Sequence, residues 1–470
     1  MIVNLPYFFI VNFSICDIIR NMKTIVAVST PIGSGGISIV RMSGSNSFSI
    51  AKKIISKIKN NDKKFEMRKM YLCKIDAENF SDMGLVVFFK GPDSFTGEDM
   101  VEFQLHGGVH ITDGVIKKCL SLGAEMAEGG EFSKRAFLNG KTSLESLEGV
   151  IDLISSESDE QAKAAFALTS GSFYKEIKDI QNNLTNTLAQ VNVALDYPDE
   201  DLEVDNSKEI KEKLILVKEK IENLIESYSS GKIIKHGINC AIIGLPNAGK
   251  SSLLNSFLNE ERAIVSSIAG TTRDVIKESF VINGLKVNLI DTAGINDAKD
   301  EIEKIGVERA IKEAENADVV LFLFDGSKKF SKEDRKLLES LKNKNIILVK
   351  TKKDISINEK LNLSNNFELI EISSLTKENV NLLKEKIYSK FALEKKSNSG
   401  IIITNERHFS ALKKASKYLD EILALDLSLT NFEIVSMLIS NVYNALGEIT
   451  GEVGSEKVID EIFSKFCLGK

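Results

Sequence analysis

The chain has 470 residues, about three times the length of an average domain, so we expect two or three domains rather than one core. Hydrophobic residues make up 43% of it and charged residues 27%, which excludes collagen-like, mucin-like and wholly disordered proteins. The net charge of -6 excludes attraction of nucleic acid by overall charge, so such a contact needs a local basic patch.

The first 21 residues are apolar, but their pattern does not indicate a membrane anchor. The run from Leu5 to Ile15 is too short to span a bilayer, and no basic residue precedes it as in a signal peptide. A strand-like segment follows Met22 at once, so residues 1 to 21 are predicted to be an upstream mis-start or a mobile extension, with a docking helix as the alternative. The five scattered cysteines form no CxxC pair, which favours a reducing compartment. We therefore expect a cytoplasmic protein with no membrane partner.

Short apolar runs alternate with helical stretches over residues 24 to 141, a pattern typical of a mixed α/β domain. The predicted strands are Thr24 to Val28, Ile37 to Val40, Leu85 to Phe89 and Val101 to Leu105. The predicted helices are Ser47 to Ile58 and Ile111 to Leu122.

A helical period replaces this alternation after residue 141. Apolar residues recur at spacings of three and four from Ile177 to Leu195 and again from Ile210 to Leu224. Polar stretches at Tyr228 to Lys232 and at Lys396 to Gly400 read as linkers around a second α/β segment. The helical period returns from Ile434 to Ile449. The pattern predicts a helical domain interrupted by an inserted α/β domain.

A phosphate-binding loop opens the inserted domain. The apolar strand Ile238 to Ile243 runs directly into the sequence GLPNAGKS, which begins at Gly244, and an apolar helix follows. Glycines let backbone N–H groups surround phosphates, Lys250 supplies a positive charge, and Ser251 offers an oxygen to Mg²⁺. Strand, loop and helix together make a chance glycine loop a poor explanation.

Two further segments complete the pattern of a nucleotide switch. The sequence AGTTRD begins at Ala269, and after a hairpin at Asn283-Gly284 a strand ends in Asp291 and Gly294. A carboxylate there can hold Mg²⁺ through water, and the Gly294 N–H can reach the γ-phosphate. Asp354 follows the predicted strand Ile346 to Val349 and can accept hydrogen bonds from the N–H edge of guanine.

These spacings resemble the TRAFAC-type small GTPase domain over residues 236 to 391. Two positions depart from its pattern: the guanine motif begins with Thr351 where asparagine is usual, and the segment Ser373-Ser374-Leu375 lacks the usual alanine. Asp354, the carboxylate that selects guanine, is present, and ATP is the weaker alternative ligand.

The usual water-orienting glutamine is absent, because Ile295 and Asn296 follow Gly294. Hydrolysis therefore needs another source of transition-state stabilisation, either an arginine finger or a bound cation. The side-chain oxygen of Asn247 could ligate a monovalent cation, with further oxygens from Ser266, Ile268 and Thr271. Alternatively, Asn247 only fills a loop position that tolerates polar residues.

The whole chain from Met22 onward resembles the MnmE (TrmE) family of tRNA modification GTPases. The resemblance rests on TPIGSGGISIVRMSG, GPDSFTGEDMVEFQLHGG, GEFSKRAFLNGK, LDYPDED, GLPNAGKSSLLN, IAGTTRD and the terminal FCLGK. It implies a folate-binding, dimerising α/β domain over residues 22–140, a helical domain over residues 141–235 and 396–470, and an inserted P-loop G domain over residues 236–395.

The resemblance also implies a function. With a flavoprotein partner that carries FAD, MnmG (GidA), the family forms a heterotetramer that adds an aminomethyl-type, or carboxymethylaminomethyl, group to carbon five of the tRNA wobble uridine. The carbon comes from a tetrahydrofolate derivative. GTP hydrolysis depends on Mg²⁺, on K⁺ and on transient pairing of the two G domains of a homodimer.

Site residues follow from the matching positions. The resemblance implies that K⁺ is held by Asn247, Ser266, Ile268 and Thr271, that Mg²⁺ is held by Ser251 and Thr272, and that Glu303 is catalytic. It implies folate binding by Arg41, Glu102, Lys141 and Lys470. The GTP-binding positions are Asn247, Ala248, Gly249, Lys250, Ser251, Ser252, Ser266, Ser267, Ile268, Ala269, Gly270, Thr271, Thr272, Asp291, Thr292, Ala293, Gly294, Thr351, Lys352, Asp354, Ser373, Ser374 and Leu375.

Two rival functions remain open at this point. A regulatory or ribosome-assembly GTPase would share the G domain but would neither bind nor need folate. A folate-dependent aminomethyltransferase with a degenerate G domain is disfavoured, because Lys250, Ser251, Thr272 and Asp291 are all intact.

Overall fold

The computed structural model describes residues 23–57, 65–196, 203–260, 278–290, 312, 314–341, 344–357, 367–391, 400–426, 431–453, 456–464, 466 and 469. Two compact units divide the chain. The first comprises Met1–Ile151, Leu168–Ile177 and Asn444–Lys470, and the second comprises Asp152–Ala167 and Lys178–Tyr443. Each unit contains one β-sheet.

The first unit contains a seven-stranded sheet with the order β3-β4-β5-β6-β2-β1-β7. Its strands are β1 (Ile25–Val28), β2 (Ile37–Ser43), β3 (Ile55–Lys57), β4 (Tyr71–Asp76), β5 (Ser81–Phe89), β6 (Met100–His106) and β7 (Glu125–Met126). All neighbours are antiparallel except β1 and β7.

One face of this sheet packs into a buried apolar core. The other face, called the open face below, is only partly covered. The buried face includes Val40, Phe88 and Phe103, which form one apolar cluster with the helices Ser47–Ile54 and Val109–Ser121. Side chains alternate along strands, so the residues between them point to the opposite face. The register sets Arg41 directly across from Glu102 on that second face.

Five of the described helices lie wholly or mostly in the first unit, and one of them comes from the other end of the chain. They are α1 (Ser47–Ile54), α2 (Val109–Ser121), α3 (Glu131–Leu138), α4 (Leu144–Ile154) and, at the other end of the chain, α13 (Glu456–Ser464). Phe463 and Phe466 pack with Leu144 and Leu147 in a separate apolar cluster. Ser29 Oγ donates a hydrogen bond of 2.9 Å to the Gly469 carbonyl, which holds the last described residue against the end of β1.

The second unit contains a six-stranded sheet with the order β13-β12-β11-β8-β10-β9. Its strands are β8 (Ile238–Ile243), β9 (Ser279–Ile282), β10 (Leu285–Ile290), β11 (Val319–Asp325), β12 (Ile346–Thr351) and β13 (Glu368–Glu371). Only β9 runs antiparallel to its neighbour, through the predicted hairpin turn, where Asn283 and Gly284 both have positive φ. Buried apolar clusters cover both sides of the sheet, as expected for parallel strands.

The remaining helices complete the described elements of the chain. They are α5 (Asp159–Thr169), α6 (Ser172–Asp196), α7 (Glu203–His236), α8 (Lys250–Glu260), α9 (Lys332–Ser340), α10 (Val380–Lys390), α11 (Glu406–Ala424) and α12 (Phe432–Thr450). The periodic runs predicted as helices over Ile177 to Leu195, Ile210 to Leu224 and Ile434 to Ile449 correspond to α6, α7 and α12.

The linker predicted at Tyr228 to Lys232 is wrong, because α7 continues through it to His236. The small residues in this part of α7 allow another segment of the chain to pack closely against the helix. A Cβ on Gly231 would lie 2.0 Å from the Ile403 carbonyl oxygen, and the Ile403 N–H donates to Ser227 Oγ at 3.0 Å. An extended segment therefore runs directly against the helix. The second predicted linker, Lys396 to Gly400, lies almost wholly outside the described residues.

Two details of the first domain also differ from the prediction. The helix expected over Ser47 to Ile58 ends at Ile54, and a short edge strand, β3, follows it. Strand β4 was not predicted, since exposed Leu72 interrupts the alternation of apolar and polar residues. Among the described residues, no helix is both long and apolar enough to span a membrane.

Candidate functional site

The loop between β8 and α8 forms the phosphate end of the candidate nucleotide site. β8 lies where the strand order reverses, and ligands of such sheets bind outside the carboxyl ends of the strands at that point. Asn247 and Gly249 have φ values of 65° and 92°, and these left-handed residues turn the loop back on itself. Because α8 begins at Lys250, its N-terminal N–H groups face the loop and favour an anion.

Lys250 crosses its own loop. Its Nζ donates to the carbonyl oxygens of Gly244, at 2.6 Å, and Leu245, at 3.1 Å. Gly244 itself is packed closely, because a Cβ there would lie 2.2 Å from the Leu323 carbonyl oxygen. Glycine is therefore required at this position for the approach of β11, in addition to the turn that the sequence motif suggested.

The end of the site that is predicted to read the base lies at the same edge of the sheet. Lys352, with φ of 56°, reverses the chain after β12, and the short 3-10 helix Lys353–Ile355 carries Asp354. Ser373 Oγ donates to Asp354 Oδ1 at 2.6 Å, and Ser373 is fully buried. The serine thus orients the carboxylate. Ser374 and Leu375 follow, and Leu375 is 85% exposed.

An ion pair holds the Lys352 side chain beside this site. Its Nζ lies 2.6 Å from Asp325 Oδ2. Burial alone raises the pKa of Asp325, but hydrogen bonds from Lys352 and Ser327 outweigh burial, so the pKa of this carboxyl lies below its ordinary value. Asp325 therefore stays ionised and holds the lysine at the end of β11.

The switch residues fall outside the part of the chain that the structure describes. These are Ser266, Ser267, Ile268, Ala269, Gly270, Thr271, Thr272, Asp291, Thr292, Ala293, Gly294 and Glu303. Their assignments to GTP, Mg²⁺, K⁺ and catalysis stay predictions. The structure brings together the other half of the predicted nucleotide site, namely residues 247–252, 351–354 and 373–375.

A second candidate site lies in the first unit, on the open face of its sheet. Arg41 Nε donates to Glu102 Oε1 at 2.9 Å, and the arginine NH2 group lies 2.8 Å from the same oxygen. The two side chains are only 19% and 14% exposed. Arg41 is therefore paired with Glu102 and orients its carboxylate.

A cavity of about 480 Å³ opens beside this pair. It is lined by Arg68, Phe89, Asp93, Ser94, Phe95, Met100, Glu102 and Lys141. The Phe95 ring, 43% exposed, lies 5.2 Å from the Arg41 guanidinium. The cavity combines two acidic groups, Asp93 and Glu102, with an accessible aromatic ring and two cations, which suits a flat, hydrogen-bonding ring with an anionic tail. Lys470, the fourth predicted folate residue, lies outside the described residues.

Phe95 was not singled out from the sequence, although it belongs to one of the quoted motifs. An aromatic residue between a serine and a threonine gives no signal of its own, and only the fold sets its ring over Arg41. The fully buried Phe132 contacts the same guanidinium, with its ring 5.8 Å from it. The rings of Phe95 and Phe132 therefore both restrict the position of the Arg41 guanidinium.

The histidines and cysteines give no sign of a metal centre among the described residues. His106 Nδ1 pairs with Asp82 Oδ1 at 2.7 Å, and the His110 ring stacks on Phe80. Burial raises the pKa of Cys119 and Cys240 to about 12, so neither is a thiolate at neutral pH. Cys467 lies outside the described residues.

Comparison with known proteins extends these observations. Residues 24–141 match the family described as "GTP-binding protein TrmE N-terminus", and residues 144–467 match "MnmE helical domain". Among solved structures, the chain is similar to the G domain of the T. maritima FeoB iron transporter, with 25% identity over 33% of this chain and 99% of that one. The TM-score of 0.26 is too low to support a conclusion.

Curated relatives match along nearly the whole chain. A tRNA modification GTPase MnmE from Clostridioides difficile (strain 630) is 40% identical over 455 residues, covering 95% of this chain and 99% of its own. The protein of the same name from Lactococcus lactis subsp. cremoris (strain SK11) is 41% identical, covering 96% and 99%. The chain therefore belongs to the MnmE family of tRNA modification GTPases.

Proposed function

We propose that this chain is a potassium-dependent GTPase that acts with a flavoprotein partner, MnmG (GidA), to modify tRNA. The complex adds an aminomethyl-type group to carbon five of the wobble uridine, and a tetrahydrofolate derivative supplies the carbon. The single observation that supports this most is the presence, in one chain, of a phosphate-binding loop and a cavity that presents Glu102 beside an exposed aromatic ring.

The residues of the nucleotide site have separate tasks in this proposal. Backbone N–H groups of the loop and the first turn of α8 bind the phosphates, and Lys250 leaves its loop carbonyls to contact their oxygens. Asp354, oriented by Ser373, accepts the N–H edge of guanine. Ser251 and Thr272 would hold Mg²⁺, which would neutralise the charge that develops on the phosphates, and Glu303 would position the attacking water.

The cavity of the first unit binds the tetrahydrofolate derivative. Glu102, held by Arg41, accepts hydrogen bonds from the donor edge of its pterin ring. Lys141 and Lys470 contact the carboxylates of its tail. A regulatory GTPase that binds no folate would not need the Glu102 carboxylate to be oriented at this cavity. The arrangement therefore favours the folate-dependent function.

The proposed homodimer uses the open face of the first unit's sheet. Ile37, Leu72 and Met83 share that face and are 71%, 53% and 47% exposed. Several large apolar side chains on one sheet face are typical of a protein contact. The MnmG partner and the tRNA are proposed from the family alone.

Potassium dependence gives the first test. We expect GTP turnover to rise about tenfold or more in K⁺ relative to Na⁺ at equal ionic strength, because a bound cation offsets transition-state charge. Asn247→Ala should abolish the difference by removing a ligand oxygen. The control Asn283→Ala also replaces a left-handed asparagine, with φ of 48°, but on the β9–β10 hairpin, and should keep the K⁺ response. Equal rates in both salts would contradict the cation site.

Folate binding separates the proposal from the regulatory alternative. Isothermal titration with 5-formyltetrahydrofolate should show one site, and Glu102→Gln should weaken it about tenfold because the amide cannot accept two donor groups in the same way. Glu125→Gln replaces an exposed glutamate paired with Lys23 and serves as the control. If the unaltered chain binds no folate, the regulatory function becomes the better explanation.

A further inference from the structure

Thr351 occupies the position where related GTPase domains carry asparagine, and it is almost completely buried at the end of β12. Its hydroxyl lies 2.8 Å from the carbonyl oxygen of Ala248, in the phosphate loop, and 3.1 Å from that of Phe324, in β11. Both partners are acceptors, so the single hydroxyl proton is directed between them. One side chain therefore joins three segments of the nucleotide site.

The contact with Ala248 determines how the loop faces the phosphates. A trans peptide is planar, so its C=O and N–H point in opposite directions. Because the Ala248 carbonyl points toward Thr351, the Gly249 N–H points away from Thr351. A carbonyl turned the other way would bring its negative end to the anion and remove one N–H donor.

The packing around Gly249 reinforces this orientation. A Cβ built on Gly249 would lie 3.4 Å from the Cβ, Cγ2 and Oγ1 atoms of Thr351, so the threonine side chain rests directly against the loop. The Thr351 carbonyl in turn accepts from the Gly326 N–H at 3.0 Å. Thr351 therefore contacts β11 at Phe324 and the chain just after β11 at Gly326, and it also contacts the phosphate loop.

We propose that the Thr351 hydroxyl is a positioning group that orients the Ala248–Gly249 peptide for phosphate binding and does not itself read the base. This inference rests on the proposal that the loop binds the nucleotide phosphates. It follows that asparagine is dispensable here for phosphate affinity, and that discrimination among bases depends on Asp354, which Ser373 orients.

The test measures dissociation constants for GDP and for inosine diphosphate, which lacks the exocyclic amine that Asp354 contacts. Thr351→Val removes the hydroxyl at nearly constant shape, and we expect about a tenfold rise in both constants with an unchanged ratio between them. Thr351→Ser keeps the hydroxyl and should restore binding to within about twofold of the unaltered chain. Thermal unfolding of the nucleotide-free chain serves to check the fold of each variant.

Four outcomes would overturn the proposal. Unchanged GDP affinity in Thr351→Val, with GDP binding by the unaltered chain, would remove the role of the hydroxyl and leave the proposed site intact. A larger loss for GDP than for inosine diphosphate would show that Thr351 helps to read the exocyclic amine of guanine. Failure of Thr351→Ser to restore binding, with lowered thermal stability, would show that only the methyl group matters. An unaltered chain that binds no GDP would overturn the proposed nucleotide site as well.

Discussion

Lys250→Ala is expected to reduce GTP turnover about 1000-fold at saturating nucleotide. Removing one group that stabilises transition-state charge commonly costs 100- to 1000-fold in rate, and Lys250 supplies a full charge at the helix N-terminus. The substitution also removes the contacts of Nζ with the Gly244 and Leu245 carbonyls, so the loop loses an internal brace. Phosphate release at several GTP concentrations separates the effect on turnover from the effect on binding.

Two companion variants make this result specific. Lys336→Ala removes an exposed lysine of α9 and should leave turnover unchanged. Lys250→Arg keeps the charge but should not restore turnover, because a planar guanidinium does not replace a compact ammonium in a tight loop. Turnover by Lys250→Ala near that of the unaltered chain would mean that hydrolysis occurs at another site.

Gly469→Ala is expected to release Phe466 and Gly469 from the first unit. A Cβ on Gly469 would lie 1.9 Å from the Val28 carbonyl oxygen. The atoms it would meet belong to the backbone of Val28 and Ser29, which cannot move aside as a flexible side chain can. The residue also has φ of 88°, which costs a non-glycine residue about 1–2 kcal/mol. The chain must therefore leave β1 and lose the hydrogen bond from Ser29. We expect a lower unfolding temperature and faster proteolysis of these residues.

Gly140→Ala is the matched control for this substitution. Gly140 also has a left-handed backbone, with φ of 66°, but no atom lies within 4 Å of the Cβ it would gain. Its effect therefore measures backbone strain alone, and the excess loss in Gly469→Ala measures the steric clash. Equal unfolding temperatures for the two variants would show that the contact with Val28 is not maintained in solution. If the proposed folate site includes Lys470, only Gly469→Ala should weaken folate binding.

Local patterns predicted most of the second unit's sheet. The strand Ile238 to Ile243 was predicted with the bounds of β8, and the Asn283-Gly284 turn lies where the hairpin was expected. Such predictions succeed because buried parallel strands are continuous apolar runs and because left-handed turns need asparagine or glycine. The wrong linker at Tyr228 to Lys232 shows the limit of this reasoning. Glycine and serine occur both in flexible segments and at close helix contacts, and only Ile403, far along the chain, distinguishes them.

The candidate sites were predictable to different extents. The phosphate loop is contiguous in sequence, so its motif identifies Lys250 and Ser251 directly. The pairing of Arg41 with Glu102 depends on the register of β2 against β6, which no local pattern specifies. No local pattern predicts the contact of the Thr351 hydroxyl either. In the sequence Thr351 is only a departure from the guanine motif, but in the structure its hydroxyl contacts the phosphate loop.

The apolar cluster that joins α4 to α13 has a consequence for how the protein is made. Leu144 and Leu147 leave the ribosome about 300 residues before Ile462 and Phe463, their partners in that cluster. At ~5–20 residues per second this interval lasts roughly 15 to 60 s, during which those side chains lack their native neighbours. The first unit is therefore completed last, after the inserted sheet has had time to fold. Nascent chains stalled before residue 444 should accordingly recruit chaperones through this exposed surface.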